Sequence, residues 1–212
     1  MRTVDVDKFV PFVTQQAETC PAFLARNSVI ATVADMCTRI GLLSMDTCFS
    51  TEPGQAEYEL STAEGTHLTL IRALYYDGTA LRHARMDDLS RYYGGADWSE
   101  AEGVPMFYTF KHKNKVILTP TPSEQKTVRV IAQVSVNRDT AHIPEEFYEE
   151  YLDTVVRGAL ARVYRVAGQT YSNNTLANEC QTAYELGLNR LRAEAYRDFT
   201  RGDGRVFFNR II

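Results

Sequence analysis

The chain has 212 residues, a net charge of −4 and 44% apolar residues, enough to bury the core of one large domain or two small ones and too apolar for a disordered chain. The mildly acidic balance disfavours a dedicated nucleic-acid binder, because proteins that neutralise phosphates carry a basic surface. The first residues contain no apolar signal region, and no stretch approaches the roughly 18 apolar residues of a membrane span. We therefore expect a soluble, non-secreted protein.

Helical patterns open the chain. A short apolar segment over residues 9–13, interrupted by Pro11, predicts a short helix or turn. From Pro21 to about Leu42, apolar residues recur at helical spacing, among them Ile30, Val33 and Cys37. This spacing predicts a longer helix with one buried stripe.

The middle of the chain changes period. Between Cys48 and Val136 the apolar repeat falls from about 3.6 residues toward 2, which predicts β-strands. The segment 67–76 is long enough to lie at the centre of a sheet, and Asp77-Gly78 directly after it predicts a tight hairpin turn. A second hairpin is predicted over residues 105–118. We expect a small antiparallel sheet or sandwich here.

Two consecutive long helices are predicted between Ile143 and Phe199. Ile143-Pro144-Glu145-Glu146 has the composition of a helix start, because proline tolerates the first turn and carboxylates favour the helix N-terminus. Apolar residues then recur every four positions from Phe147 to Val163. Gly168 is expected to end this helix, and a second apolar stripe follows from Leu176 to Phe199.

These patterns together predict an α+β fold class. It consists of a long-helix bundle from both chain ends, an inserted antiparallel β-sheet or sandwich domain, and an extended C-terminal tail. The expected organisation assigns residues 1–46 and 138–200 to the N-terminal and C-terminal parts of the helical domain. Residues 47–137 form the inserted β domain, and residues 201–212 form the tail.

We find no catalytic, cofactor-binding or metal-binding motif. The four histidines are scattered, and no His-Glu-x-x-His, Gly-x-Ser-x-Gly or phosphate-binding glycine loop occurs. The carboxylates at 145, 146, 149 and 150 could form an acid/base pair, but the first turn of a helix favours carboxylates in any case. The same holds for Asp87-Asp88. The four cysteines lack Cys-x-x-Cys spacing and are expected to be buried thiols.

Two segments favour a binding role instead. Lys111, His112, Lys113 and Lys115 form a basic hairpin tip beside aromatic residues, a composition of single-strand binding surfaces. Lysines also protect strand edges from pairing, and we favour that interpretation. The tail ends in apolar residues, which predicts a peptide that docks in a groove on another protein rather than a disordered end. Its docking residues are Arg205, Phe207, Phe208, Asn209, Arg210, Ile211 and Ile212.

Several short motifs follow one another along nearly the whole chain. They are Gly54-Gln55-Ala56-Glu57-Tyr58-Glu59-Leu60, Tyr76-Asp77-Gly78, Pro105-Met106-Phe107-Tyr108, Leu118-Thr119-Pro120-Thr121-Pro122, and Ile143-Pro144-Glu145-Glu146-Phe147 leading to Gly158-Ala159-Leu160. In this order and spacing the chain resembles the head-to-tail adaptor proteins of short-tailed bacteriophages, the tail tubular protein A type.

This resemblance implies a structural virion protein with no catalytic residues. Adaptors of this type form a ring of twelve copies at the head-tail vertex and are assembled in the bacterial cytoplasm. The helical domain and tail hold the portal, the β domain faces the tail nozzle and fibres, and double-stranded DNA passes through the channel. Here the tail residues would dock on the portal and the basic tip would face the tail nozzle. Residues 158–160 would form the close-packed part of the helical domain, with Tyr58, Tyr76 and Tyr108 in the β-domain core.

Two other function classes stay open. One is an assembly or binding module that never enters the particle, and the other is a cell-wall-degrading tail enzyme. For the leading hypothesis, we expect a neutral or acidic channel surface, because a channel through which DNA slides should not bind phosphates tightly. No membrane partner and no cofactor is expected.

Overall fold

The computed structural model of the protein describes residues 2–93, 97–111 and 114–200, the last six of these as backbone only. The chain divides into two compact units. The first unit takes its residues from Met1–Leu42 and from position 141 onward, and the second is Leu43–Thr140. None of the described helices combines the length and apolar character that crossing a membrane requires.

The described residues form twelve strands and six α-helices. In chain order the strands are β1 (Thr3–Asp5), β2 (Ser44–Ser50), β3 (Glu57–Glu59), β4 (Thr66–Tyr76), β5 (Thr79–Ala80), β6 (Arg82–His83), β7 (Glu102–Gly103), β8 (Phe107–Lys111), β9 (Lys115–Thr119), β10 (Thr121–Pro122), β11 (Thr127–Val136) and β12 (His142–Pro144). The helices are α1 (Val10–Thr14), α2 (Ala22–Ile40), α3 (Met86–Tyr92), α4 (Glu146–Glu149), α5 (Leu152–Val163) and α6 (Asn174–Thr200). Two short 3-10 helices, Val6–Lys8 and Trp98–Glu100, complete the description.

The predicted fold class, a long-helix bundle from both chain ends with an inserted antiparallel sheet, is wrong. The described chain has a mixed α/β fold in which four of the six α-helices contain 12 residues or fewer. Its sheets are also not purely antiparallel, because β6 pairs with β8, and β7 with β10, in parallel. The structure shows mostly short helices and several small sheets where a long-helix bundle and one antiparallel sheet were expected.

The long helix predicted from Ile143 fails for two local reasons. Ile143 and Pro144 lie in β12, which pairs with β1, and the Ile143 side chain is fully buried there. Farther along, the backbone of Tyr151 leaves the helical region, at φ −115° and ψ 11°, and separates α4 from α5. Neither glycine nor proline marks this break. The four-residue apolar spacing continues through it and therefore could not reveal it.

The first unit is held together by close packing of α5 against α2 and α6. A Cβ atom added at Gly158 of α5 would overlap Cγ2 of Thr32 on α2 and lie 2.9 Å from ring atoms of Tyr184 on α6. Ala159 and Leu160 beside it are fully buried. The glycine therefore sets how closely the three helices approach, and the close packing expected for residues 158–160 is confirmed.

A polar cluster links α2 to α6 beside this contact. The Tyr184 hydroxyl donates to Oδ2 of Asp35 at 2.7 Å, and Arg39 donates two hydrogen bonds to Glu185, at 2.8 and 2.6 Å. Burial, and then the hydrogen bond to Asp35, raise the pKa of Tyr184 well above its ordinary value, so the phenol stays protonated and donates. The hydrogen bonds from Arg39 lower the pKa of Glu185.

The second unit contains two four-stranded sheets, with strand orders β2-β11-β4-β5 and β3-β9-β8-β6, and the two-stranded β7–β10 sheet. Tyr58, Tyr76 and Tyr108 are buried in its core, as expected from the resemblance. The Asp77-Gly78 hairpin is confirmed, since both residues have positive φ, 47° and 80°, in the turn between β4 and β5. The second predicted hairpin corresponds to β8 and β9.

We predict that Gly158→Ala lowers the free energy of unfolding by about 1–2 kcal/mol. Overpacking against Thr32 and Tyr184 should outweigh the gain of about 1 kcal/mol in helix propensity. Urea unfolding followed by circular dichroism measures the change. The double variant Gly158→Ala/Thr32→Ser, which removes the overlapping methyl group, should recover part of the loss, whereas a single variant as stable as the wild type would contradict the packing argument.

Glu185→Gln should make stability less dependent on pH. Because the folded-state pKa of Glu185 lies below its ordinary value of 4.5, the ion pair contributes fully above about pH 5, and the contribution is lost as pH falls through the folded-state pKa. Both side chains are over a third exposed, so we expect a loss of roughly 0.5 kcal/mol at neutral pH and none in acid. Unfolding of the wild type and of Glu185→Gln, measured across pH, tests this prediction, with the exposed Glu179→Gln as the control. Equal pH profiles of stability for the wild type and Glu185→Gln would contradict it.

Candidate interaction surfaces

The predicted basic hairpin tip is only partly described. Lys111 and Lys115 both bind one carboxylate, that of Glu57 on β3, at 2.9 and 2.6 Å. These hydrogen bonds, that from Lys115 first, lower the pKa of Glu57. His112 and Lys113 lie outside the described residues. The described lysines thus connect β3 with β8 and β9, and a binding role for the tip stays a prediction.

The predicted docking tail also lies outside the described residues. This applies to all seven of its named positions, Arg205, Phe207, Phe208, Asn209, Arg210, Ile211 and Ile212. The docking of this segment therefore stays a prediction. Of the predicted site residues that the structure describes, Lys111 and Lys115 are brought together on the carboxylate of Glu57.

A groove in the second unit is a surface that the sequence patterns did not identify. Its volume is about 600 Å³, and its lining includes Tyr92, Val104 and Met106. These three side chains are 61%, 67% and 47% exposed. Large apolar side chains clustered around one concave surface are typical of a site that another molecule covers.

Backbone hydrogen bonds and ring contacts fix the groove wall. The Met106 N–H donates to the carbonyl of Thr119, and the Met106 carbonyl accepts from Arg82, each at 3.0 Å. The ring of Tyr92 packs edge-on against Phe107 with centroids 4.8 Å apart. The backbone of Met106 is therefore hydrogen-bonded to a neighbouring strand or loop on both sides. Sequence reasoning missed this surface because Val104 and Met106 lie in a connecting segment without periodicity, whereas Tyr92 ends the short helix α3.

Charged residues at the groove partly neutralise one another. Lys126 lies 3.3 Å from Asp77 and 3.8 Å from Glu124. The hydrogen bond to Asp77 raises the pKa of Lys126. The groove therefore offers an apolar surface beside a group of paired charges, which suits a neutral or mixed-charge partner better than a polyanion.

The first unit also exposes apolar side chains. Phe23 on α2 is 68% exposed and Leu186 on α6 is 66% exposed. On the outer face of α6, Leu176, Ala183 and Leu186 follow one another at spacings of seven and three residues, which places them on one side of the helix. This stripe is a second candidate contact surface.

The histidines and cysteines considered for metal binding do not form a common site among the described residues. Among the described residues, no group of three or more His, Cys, Asp and Glu side chains is placed to hold a metal ion. Nδ1 of His67 lies 2.8 Å from Oδ1 of Asn137, and His83 packs against the ring of Tyr108. The expectation that all four cysteines are buried is wrong for Cys48, which is exposed on the open face of β2.

The chain was compared with known protein families. A family model described as SU10 adaptor protein matches residues 14–206. The matched span includes residues of both units. A search of curated proteins found no match to the chain.

We predict that Val104→Ser/Met106→Ser reduces the binding of an apolar fluorescent dye such as ANS. Both side chains are exposed, so each substitution should change the free energy of unfolding by less than roughly 0.5 kcal/mol. Dye fluorescence and urea unfolding are the two measurements. Leu70→Ser is the control, because Leu70 is 54% exposed in the same unit but does not line the groove. A larger loss of dye binding in the control would contradict the assignment of the groove.

Proposed function

This chain belongs to the SU10 adaptor protein family, and from that membership we propose that it joins the portal of a bacteriophage capsid to the tail nozzle or tube. The family is one of structural phage adaptors rather than of enzymes, so the protein is a virion component that associates with other virion components. The family match over residues 14–206 is the observation that carries the proposal.

The proposed working form is a homo-oligomeric ring, with twelve copies as in adaptors of the tail tubular protein A type. A ring subunit needs apolar surface that remains after its own core is filled, so that neighbours can cover it. The groove at Val104 and Met106 and the α6 stripe around Leu186 supply such surface in each unit. These exposed side chains support an assembly role.

The two units would contact different partners. In this proposal the first unit, which contains most of the helices, and residues 201–212 bind the portal. The second unit, which contains the two four-stranded sheets, faces the tail nozzle and possible fibres. The apolar composition of the tail, from Phe207 to Ile212, supports docking into a groove on the portal. The hairpin tip around Lys111 and Lys115 would lie on the nozzle side.

Double-stranded DNA would pass through the ring without sequence-specific binding. The net charge of −4 supports this, because twelve mildly acidic subunits repel a polyanion rather than retain it. We propose a channel surface that is neutral or acidic. Ejection of DNA through such a channel needs no release from basic residues.

The test is to mix the purified protein with the purified portal and to examine the complex by sedimentation and electron microscopy. We expect a ring of this protein on the portal. A variant that ends after Thr200 should fold, with an unchanged circular dichroism spectrum, but should bind the portal at least roughly tenfold more weakly because the apolar anchor is missing. Phe207→Ser/Phe208→Ser should reproduce the loss, with Asn209→Ala as the matched control.

Two results would overturn different parts of the proposal. Equal portal binding by the shortened variant would refute the docking role of residues 201–212 and leave the adaptor role intact. A full-length chain that neither binds the portal nor occurs in purified particles would refute the adaptor role in favour of an assembly module outside the virion.

A further inference from the structure

Strand β2 is an open edge of the four-stranded sheet in the second unit. It pairs only with β11 and lies at the end of the strand order. It is seven residues long, whereas every other described strand at a sheet edge has three residues or fewer. A long open edge presents a row of unpaired backbone donors and acceptors and is a template for another strand.

The hydrogen bonds at both ends of β2 show which residues face outward. Thr51 donates its N–H to Lys126, and the carbonyl of Leu43 accepts from Val134. Bonding positions alternate in an antiparallel pair, so the odd-numbered residues between them face β11. The backbone groups of Ser44, Asp46, Cys48 and Ser50 therefore point away from the sheet. No bond to them occurs within the part of the chain that the structure describes.

On the opposite side of the same sheet, other parts of the chain form hydrogen bonds to the outer edge of β4. Along the outer edge of β4, Asn114 accepts from the N–H of Leu68 at 3.1 Å and Leu81 donates to the carbonyl of Leu74 at 2.8 Å. The Tyr108 hydroxyl donates to Ile71 at 3.4 Å. The chain thus covers one long edge with its own groups and leaves β2 uncovered.

The composition of β2 does not prevent pairing. It contains neither proline nor lysine, two residues that commonly protect edges. Its only charged residue, Asp46, is bound by Arg129 of β11, with Nε at 2.9 Å. Met45 and Phe49 are half-buried against the core, and the alternate residues are exposed. An added strand would therefore extend an existing apolar face.

We propose that free copies of this chain pair antiparallel through β2, edge to edge. The occupant is a second copy because, among the described strands, β2 is the long edge that the chain leaves uncovered, and an edge of equal length is needed to span it. With the two-fold axis through Thr47, each outward-facing residue meets an outward-facing residue of the second copy. The two strands would then share about eight backbone hydrogen bonds.

The side chains favour this register over its neighbours. Ser44 lies opposite Ser50 of the second copy, Asp46 opposite Cys48, and Met45 opposite Phe49, a favourable sulfur–aromatic pair. A shift by two positions in one direction would place Asp46 opposite Asp46, which is unfavourable for like charges. A shift in the other direction leaves two residues of each strand unpaired.

This association is distinct from the proposed ring. A two-fold contact joins copies that face in opposite senses, whereas the subunits of a ring around DNA all face the same way. The pairing therefore concerns the free protein before it enters the particle. Its failure would leave the adaptor proposal untouched, because portal binding is measured separately.

Sedimentation equilibrium of the purified chain, with a thiol reductant to keep the exposed Cys48 reduced, tests the pairing. We expect a reversible dimer. Ser44→Lys/Ser50→Lys places two pairs of lysines opposite one another and should raise the dimer dissociation constant roughly tenfold. Ser44→Lys/Ser50→Glu has the same lysine but places opposite charges together, and should restore or tighten the dimer. Both positions are exposed, so circular dichroism should not change.

A second variant tests the backbone directly. Cys48→Pro removes an outward-facing N–H without removing a bond to β11, and should weaken the dimer, whereas Cys48→Ser should not. A wild-type chain that is monomeric at all concentrations would overturn the proposal. So would equal dissociation constants for the two lysine-containing double variants. Protection of β2 from hydrogen exchange only in the presence of another virion protein would overturn it in favour of a different strand donor.

Discussion

The contact of Gly158 with Thr32 and Tyr184 is the constraint on which the first unit depends. It joins a helix that precedes the β unit in the chain to two helices that follow it, and a side chain at position 158 would push them apart. The Tyr184–Asp35 and Arg39–Glu185 bonds are made beside this contact. Close packing at Gly158 limits the distance between the helices, and the polar cluster beside it adds directional hydrogen bonds between α2 and α6.

The surfaces left over after this packing explain how the protein can act as an adaptor. The proposed adaptor role requires binding on more than one side, and apolar residues such as Val104, Met106 and Leu186 remain exposed after each core is complete. Among the described residues, no group of three or more His, Cys, Asp and Glu side chains is placed beside them to hold a metal ion. The free energy available at such surfaces comes from burying apolar area against a partner.

The open edge of β2 adds a consequence for the unassembled protein. A structural protein made in many copies meets other copies of itself before it meets the particle, and an uncovered edge pairs with whatever strand is available. A defined pairing through β2 would occupy that edge and limit less specific association. The strand contains neither proline nor lysine and has one charged residue, which permits such pairing. Hydrogen bonds of Asn114 and Tyr108 with β4 oppose it on the other side of the sheet.

Local residue preferences in the sequence were sufficient to predict the β-hairpins and the helix α2. Asp77-Gly78 adopts the positive φ angles of a tight turn, an outcome that depends on neighbouring residues alone. The helix predicted from Pro21 to about Leu42 is α2, which ends at Ile40 because Gly41 takes the left-handed conformation. Only the tertiary structure decided the rest. Ile143 and Pro144 form a strand because β1, far away in the chain, pairs with them, and the break at Tyr151 carries no local signal. The groove and the open edge follow from which distant segments meet, and apolar periodicity contains no information about that.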